Sequence, residues 1–261
     1  MEALQIIKIG GNSMDDTEQL NNFLRDFSSL KEKKILVHGG GKLATEMGVI
    51  LGISSQMVNG RRVTDEATLK IAVMVYAGYV NKMIVSRLQA EGCNAVGLSG
   101  ADGNIIKSRK RQKGEIDFGF VGDIDYEAIQ TELLEDLMGK GYVPIICAIT
   151  HDKKGQLLNT NADTVVTKLA IALAKKFDTK LTYCFDKKGV LTEVADDTTI
   201  ISKLNHSEYL HLLSNESISK GMIPKLENAF EALEQGIKSI KICHTENILK
   251  KDSLLIGTQI I

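Results

Sequence analysis

Lys8 stands inside the run Leu4–Ile9, apolar apart from it and Gln5, and is followed by Gly10-Gly11-Asn12-Ser13. A lysine turned inward from such a run is costly unless an anion or a carboxylate meets it. Two glycines then leave backbone N–H groups open to an anion with no Cβ in the way. A strand-edge lysine facing water ahead of a simple turn is the other reading. His38-Gly39-Gly40-Gly41-Lys42 stands at a second strand-to-helix junction. A helix start offers unpaired N–H groups and partial positive charge to an anion, and a plain turn rarely needs three glycines. In Asn59-Gly60-Arg61-Arg62-Val63-Thr64 an arginine precedes a helix. It can fork onto a carboxylate, or one of the pair can lie solvated in a loop.

In Leu158-Asn159-Thr160-Asn161-Ala162-Asp163, Asn161 can cap the following helix and Asp163 falls in its first turn, where the dipole favours it. Capping does not account for Asn159, whose amide could bind a substrate. Asp186-Lys187-Lys188-Gly189-Val190-Leu191 is a turn after a strand. Ser219-Lys220-Gly221-Met222-Ile223-Pro224-Lys225 opens a helix with a cation in its first turn. That cation opposes the macrodipole, and local conflicts of this kind tend to mark functional sites.

Several chemistries are excluded by the residues themselves. Lys42 is followed by Leu43, so there is no Walker A loop, and no G-x-G-x-x-G opens the first helix. Gly97-Leu98-Ser99-Gly100-Ala101 lacks the final glycine of a nucleophile elbow. The five histidines form no H-E-x-x-H pair, which argues against a zinc site. Cys93, Cys147, Cys184 and Cys243 form no C-x-x-C pair and sit in or beside apolar runs, as buried reduced thiols do.

These residues need a scaffold, and 261 of them suffice for one large domain or two lobes sharing a core. Hydrophobic residues make up 43% and charged residues 25%, which argues against disorder. A net charge of −1 gives no support for a broad nucleic-acid surface or a polybasic membrane anchor. The longest apolar stretch, Tyr142 to Ile149, is far below the ~20 residues of a spanning helix. Without a basic leader at the N-terminus, a soluble cytoplasmic protein is expected.

Short β-rich runs alternate with helical patterns. Leu4–Ile9 and Lys34–His38 flank a helix over Asp16–Leu30, whose Leu20, Phe23, Leu24, Phe27 and Leu30 form one stripe. Leu69, Ala72, Val73 and Tyr76 mark a helix that Thr64 could cap, and Ile129 to Met138 mark one that Gly141 ends. Asn94–Leu98, Tyr142–Ile149, Leu181–Phe185 and Ser239–Cys243 read as strands, with Gln259–Ile261 as a possible edge strand. Ala162 to Leu173 is the cleanest helical stripe, and Leu226 to Leu233 gives another. Residues 104–124 break the pattern and read as a hairpin or lid. The alternation implies an open, mainly parallel sheet with helices on both faces, binding ligands at the carboxyl ends of its strands.

Taken together, K-I-G-G-N, H-G-G-G, N-G-R-R-V-T, G-L-S-G-A-D-G, L-N-T-N-A-D and G-M-I-P-K, running from residue 8 to 225, resemble the N-acetylglutamate kinases within the amino-acid kinase family. The resemblance implies a three-layer α/β/α sandwich. It implies an N-terminal acylglutamate-binding and dimerisation lobe, residues 1–176, and a C-terminal ATP-binding lobe, residues 177–261. It implies transfer of a phosphoryl group from ATP to the side-chain carboxylate of an N-acylated glutamate, with Mg²⁺ bridging the nucleotide phosphates.

By resemblance, Lys8 and Lys225 stabilise the transferring group from opposite sides and Asp163 holds both. The Gly10, Gly11, Gly40 and Gly41 backbones add N–H donors. Arg62 would bind the substrate's α-carboxylate, and Asn159 its amide or carboxylate. Asp186, Lys187, Lys188, Gly189, Val190 and Leu191, with Ser217, Ile218 and Ser219, match the nucleotide segments in position. Lys220 stands where the family often has an aspartate. Arginine-inhibited hexamers in the family carry an extra N-terminal helix, whereas here the first strand follows three residues, so a homodimer insensitive to arginine is expected. An N-succinylglutamate acceptor would need one more cation, which the basic 107–113 stretch could supply. A non-catalytic nucleotide or metabolite sensor would be marked by a lost lysine or aspartate, and Lys8, Asp163 and Lys225 are all present.

Overall fold

A computed structural model describes residues 1–58, 61–193, 196–215, 217–219, 221–249 and 257–261, save the side chains of Asn12 and Tyr126. Asn59, Gly60 and Lys220 of the motifs above lie outside the described residues.

The chain opens with β1 (Ala3–Ile9), turns through Gly10 and Gly11 and enters α1 (Thr17–Ser29). Asp16 caps α1 by accepting the Gln19 N–H at 3.0 Å, and Leu20, Phe23, Leu24 and Phe27 are its buried stripe. β2 (Lys33–His38) lies parallel to β1 and leads into α2 (Gly41–Ile50) at the glycine triplet. A small antiparallel hairpin follows, β3 (Met57–Val58) with β4 (Arg61–Arg62). Next comes α3 (Glu66–Val73), which runs on through a π-helical turn, Met74–Val80, into α4 (Asn81–Ala90). This 25-residue stretch is apolar and long enough to cross a bilayer by length and composition, and half of its most apolar window is buried within the fold.

β5 (Ala95–Leu98) precedes the antiparallel hairpin β6 (Arg109–Lys110) with β7 (Gly122–Asp123), so a hairpin does occupy residues 104–124. α5 (Glu132–Gly139) leads to β8 (Val143–Cys147). The apolar run 142–149 is not one strand. It leaves the main sheet after Cys147, and β9 (Ile149–His151) pairs antiparallel with β10 (Leu157–Asn159). That excursion places Asn159 directly ahead of α6 (Ala162–Leu173). β11 (Asp178–Phe185), β12 (Lys203–Leu204), α7 (His206–Ser214), α8 (Ile223–Glu234), β13 (Ser239–His244) and β14 (Thr258–Ile260) complete the chain.

The main sheet has eight strands in the order β12-β14-β13-β11-β1-β2-β8-β5. Every neighbouring pair is parallel except β13 with β14. The first strand is therefore central, and the last is not an edge strand. β14 is inserted between β12 and β13, where Thr258 Oγ1 accepts the Val190 N–H at 2.8 Å. α6 packs across β1, β2 and β11 with α8 beside it, while α1 packs on α4. Helices thus cover a sheet whose strands are apolar on both faces, as a parallel sheet requires.

The cap of α3 is Asp65, not Thr64. Asp65 accepts the Thr68 N–H at 2.7 Å, and that bond lowers its pKa. The Thr64 hydroxyl instead donates to the Arg62 carbonyl at 2.9 Å and accepts from Asn159. Asp65→Ala should lower stability to urea by about 1 kcal/mol at pH 7, the usual cost of an N-cap. Asp65→Asn should keep most of it, since its amide oxygen accepts the same bond. A lowered carboxylate pKa stabilises above the unfolded value and is lost as pH falls through the folded one, so the Asp65→Ala deficit should shrink in acid.

Candidate active site

Lys8 lies near the carboxyl end of β1 and Asp163 in the first turn of α6, and they are only 6% and 5% exposed. The Lys8 Nζ sits 2.9 Å from Asp163 Oδ1, and the Lys225 Nζ, from the first turn of α8, sits 3.3 Å from Oδ2. One carboxylate therefore bridges two ammonium groups. Burial pushes the Lys8 pKa below its ordinary value, and the neighbouring Asp163 offsets only part of that push. Burial works against the Asp163 carboxylate too, but the two lysines outweigh it and hold it below the usual carboxylate range. Two ammonium groups against one carboxylate give the cluster a formal charge of +1, in the place where the strands end.

Local structure dictates this arrangement. Asn161 caps α6 by accepting the Asp163 N–H at 2.7 Å. The Thr167 hydroxyl donates to the Asp163 carbonyl at 2.7 Å and bonds to the Tyr183 hydroxyl at 2.6 Å, tying the start of α6 to β11. Pro224 is the second residue of α8, and the Lys225 Nζ also donates to the Gly221 carbonyl at 3.2 Å. The conflict between Lys225 and the helix dipole is offset by Asp163.

Three cavities border this cluster; the largest, about 860 Å³, runs from Lys8, Gly10 and Gly11 past Lys42 to Arg62, and the two smaller ones lie on either side of the ion cluster. One, of about 220 Å³, is lined by Lys8, Gly40, Gly41, Arg62, Asn159 and Asp163, together with Tyr76, Arg61 and Arg111. The other, of about 240 Å³, is lined by Gly11, Asp186, Lys187, Gly189, Leu191, Ile218, Ser219, Met222 and Lys225. Lys8 and Asp163 face the first and Lys225 the second, so the ion cluster forms the wall between them.

The glycines divide in role. Gly10 does not offer its N–H to a ligand, because that group donates to the Cys184 carbonyl at 3.1 Å and extends the β1–β11 ladder. What Gly10 contributes is space, since the Lys8 side chain occupies the volume a Cβ would take. Gly11 has φ +73°, and a Cβ there would come within 2.7 Å of Asp186 Oδ1. Gly40 has φ +154° and precedes Gly41 at the start of α2, with the Tyr76 ring packed where its Cβ would stand.

Arg62 donates to the Gly41 carbonyl at 2.8 Å, to Thr45 Oγ1 at 2.7 Å and to Ser55. It spans the cavity mouth from β4 to α2. Arg61 is exposed, though it also lines the cavity. The Asn159 amide donates to Thr64 Oγ1 at 3.1 Å.

Three residues expected at a nucleotide do not line the second cavity. The Lys188 Nζ pairs with Asp197 at 3.5 Å on the surface. Val190 is buried in the core. The Ser217 N–H donates to the Leu212 carbonyl at 3.0 Å, closing the end of α7.

Among the residues lining the first cavity, sequence reasoning does not single out Tyr76, Gly122 or Asp123. Tyr76 reads as one more core position of a helical stripe, and only the glycine loop opposite gives it another role. Arg111 and Asp123 face each other across the β6–β7 hairpin, Arg111 Nε donating to Asp123 Oδ1 at 3.0 Å. Arg111 belongs to the basic stretch already noted. Gly122 lies against the Ser108, Thr150 and Thr160 hydroxyls, whose bonded chain (2.5 and 2.8 Å) floors the cavity.

A sheet of this order, bearing lysines, a carboxylate and glycine turns at its carboxyl ends between two cavities, is a phosphotransferase scaffold. The amino acid kinase family matches residues 3–244, and the chain belongs to that family. It is similar to the acetylglutamate kinase of Cytophaga hutchinsonii, 50% identical over 264 residues that cover 100% of this chain and 99% of the relative. It is also similar to the acetylglutamate kinase of Bacteroides fragilis, 50% identical over 241 residues, 92% of each chain. Among solved structures, a Streptococcus mutans protein superposes with a TM-score of 0.81 at 24% identity, covering 98% of each chain, which bears on the fold alone.

Asp163→Asn should destabilise the protein by about 3–5 kcal/mol at pH 7, because it leaves Lys8 buried and charged with no counter-charge. The deficit should narrow as pH rises. A lysine whose folded pKa lies below its unfolded value costs stability while it stays protonated, and the cost fades as pH rises through the folded value toward the unfolded one. Urea denaturation at pH 7 and pH 9.5 measures this, and an equal deficit at both pH values would contradict it.

Proposed function

We propose that this chain transfers the γ-phosphoryl group of ATP to the side-chain carboxylate of N-acetyl-L-glutamate, a step of arginine biosynthesis. The observation that carries the reading is the Lys8–Asp163–Lys225 cluster standing between two cavities. The near-full-length similarity to acetylglutamate kinases supports the choice of acceptor.

In this reading ATP occupies the cavity of Asp186, Gly189 and Ile218, in the lobe 177–261, with Lys225 near its γ-phosphate. The acceptor occupies the cavity of Arg62 and Asn159, in the lobe 1–176. Its side-chain carboxylate oxygen attacks the γ-phosphorus, the bond from that phosphorus to the β,γ-bridging oxygen breaks, and ADP leaves with the electron pair. The nucleophile is already an anion, so no general base is needed. Phosphoryl transfer asks a protein for positioning and charge stabilisation. Lys8 meets the group from the acceptor side and Lys225 from the donor side. Asp163 limits their mutual repulsion and fixes both tips. The starts of α2 and α6 add positive potential, and Arg62 is placed to take the α-carboxylate by exchanging its bonds to Gly41 and Thr45. Mg²⁺ would neutralise charge on the β- and γ-phosphates. No group of three metal-ligating side chains occurs among the described residues.

A homodimer fits the exposed apolar side chains of Val49 and Ile50 on α2 and Tyr79 on the adjoining π turn, 73%, 75% and 64% exposed. Sedimentation should give twice the chain mass, and a monomer or a hexamer would overturn this.

A second reading of the acceptor rests on Arg111, which lines the same cavity. An N-succinyl group would place a carboxylate there, in competition with Asp123. Turnover on the two acylated glutamates separates the readings, and equal rates would remove Arg111 from the question.

A hydroxamate assay with ATP and Mg²⁺ should trap an acyl phosphate. Lys8→Ala and Lys225→Ala should each lower kcat by about 10²-fold or more, the scale of losing one electrostatic stabiliser. A raised KM with kcat unchanged would refute the assigned roles.

A further inference from the structure

His38 ends β2 at 0% exposure, a polar ring sealed in the core just ahead of the glycine triplet. Its Nδ1 lies 2.8 Å from the Gly39 carbonyl oxygen, and its Nε2 lies 3.0 Å from the Asn81 Nδ2. Asn81, the first residue of α4, is 1% exposed. Its Nδ2 also donates to the Ile145 carbonyl at 3.0 Å, and its Oδ1 accepts from the Lys82 Nζ at 3.0 Å. The Lys82 Nζ in turn donates to the Gly97 carbonyl at 3.1 Å.

Each of these contacts fixes the next. A carbonyl can only accept and an ammonium can only donate, so Ile145 and Lys82 set which way the Asn81 amide points. The Asn81 Nδ2 is then a donor toward His38, and the His38 Nε2 must accept. Burial pushes the ring's pKa down to about 4, so it carries one proton at neutral pH. That proton is left on Nδ1, where it binds the Gly39 carbonyl. A trans peptide is planar, with its C=O and the following N–H pointing opposite ways. Drawing the Gly39 oxygen toward the buried ring turns the Gly40 N–H the opposite way, away from the ring, and Gly40 lines the cavity that Lys8 also lines.

The π turn makes the grip possible. The Asn81 N–H donates to the Tyr76 carbonyl, five residues back. In an i→i+5 ladder, residues five apart come onto one face, whereas in an α-helix they diverge. So Tyr76, whose ring fills the space beside Gly40, and Asn81, which holds His38, grip the same loop from one helix face. Gly97 on β5 is bare because a Cβ there would collide with the Asn81 amide.

We propose that His38, locked in one tautomer by Asn81, is a positioning residue for phosphoryl transfer. By pinning the Gly39 carbonyl it aims the Gly40 N–H at the transferring group. The proposal rests on the acceptor-cavity reading above.

The test compares three variants in the hydroxamate assay, with thermal stability followed in parallel. His38→Asn keeps a donor near the Nδ1 position, His38→Gln keeps a polar group near Nε2, and His38→Phe keeps only the ring's bulk. A misaimed donor costs less than a removed one, so His38→Gln and His38→Phe should lose about 10- to 100-fold in kcat, with both KM values nearly unchanged. His38→Asn should stay within roughly fivefold of the wild type on the same scale. Unchanged kcat per folded molecule in the Gln and Phe variants would reduce His38 to a structural role. An Asn variant as impaired as the Gln variant would remove the Gly39 link.

The ring nitrogen ¹⁵N shifts of the intact wild-type protein give a readout that needs no variant to fold. An Nδ1–H tautomer is expected, and an Nε2–H tautomer overturns the chain of contacts. If the wild type makes no acyl phosphate while the Nδ1–H tautomer is found, it is the acceptor reading that fails.

Discussion

Two buried or half-buried ammonium groups cannot stay close together in a low-dielectric interior without an anion between them. Asp163 supplies that anion, and much of the architecture can be understood as what keeps it there. Its backbone is capped by Asn161, its carbonyl is tied through Thr167 to Tyr183, and its two oxygens face lysines carried by β1 and α8. The cluster retains one positive charge. An incoming polyanion completes its neutralisation, so affinity for a phosphate-bearing ligand and stability of the site come from the same imbalance.

The backbone reinforces that sign. α2, α6 and α8 all begin at the carboxyl edge of the sheet, and each contributes to a cavity from its first turn. α2 starts where β2 of the parallel sheet ends, whereas α6 follows the β9–β10 hairpin and α8 follows α7. The positive ends of several helices are thus gathered on one side without any residue chosen for its charge. The side chains then only need to adjust position, as Arg62 does by bridging β4 to α2 and His38 by gripping the loop between β2 and α2.

What could be read from the sequence follows the range of the forces involved. The stripe of α1 and the cap of α6 are local, and both are visible in residue spacing. Lys225 was legible because it sits where its own helix disfavours it. The site's two halves come from opposite ends of the chain, and only the resemblance to a known family joined them in advance. Features decided by distant pairing were not legible. β14 lies inside the sheet because β12 and β13 accept it, which no pattern in Thr258–Ile260 announces. The π turn leaves the apolar spacing of α3 and α4 intact. The 186–191 turn reads as one contiguous unit in the sequence, but Val190 is buried in the core and Lys188 pairs outward with Asp197. Gly10 reads as a donor to a ligand, yet its N–H continues a ladder whose partner strand lies far along the chain.

The central placement of β1 bears on how the molecule is made. During synthesis β2 can pair with one side of β1 early, but the other side waits for β11, whose Asp178 lies beside Ala3. At the ribosome's pace of about 5–20 residues per second, that flank stays unpaired for roughly ten to thirty seconds, an apolar edge open to stray strands. A nascent chain of this topology therefore carries an unsatisfied apolar strand edge through most of its synthesis, longer than its modest size suggests.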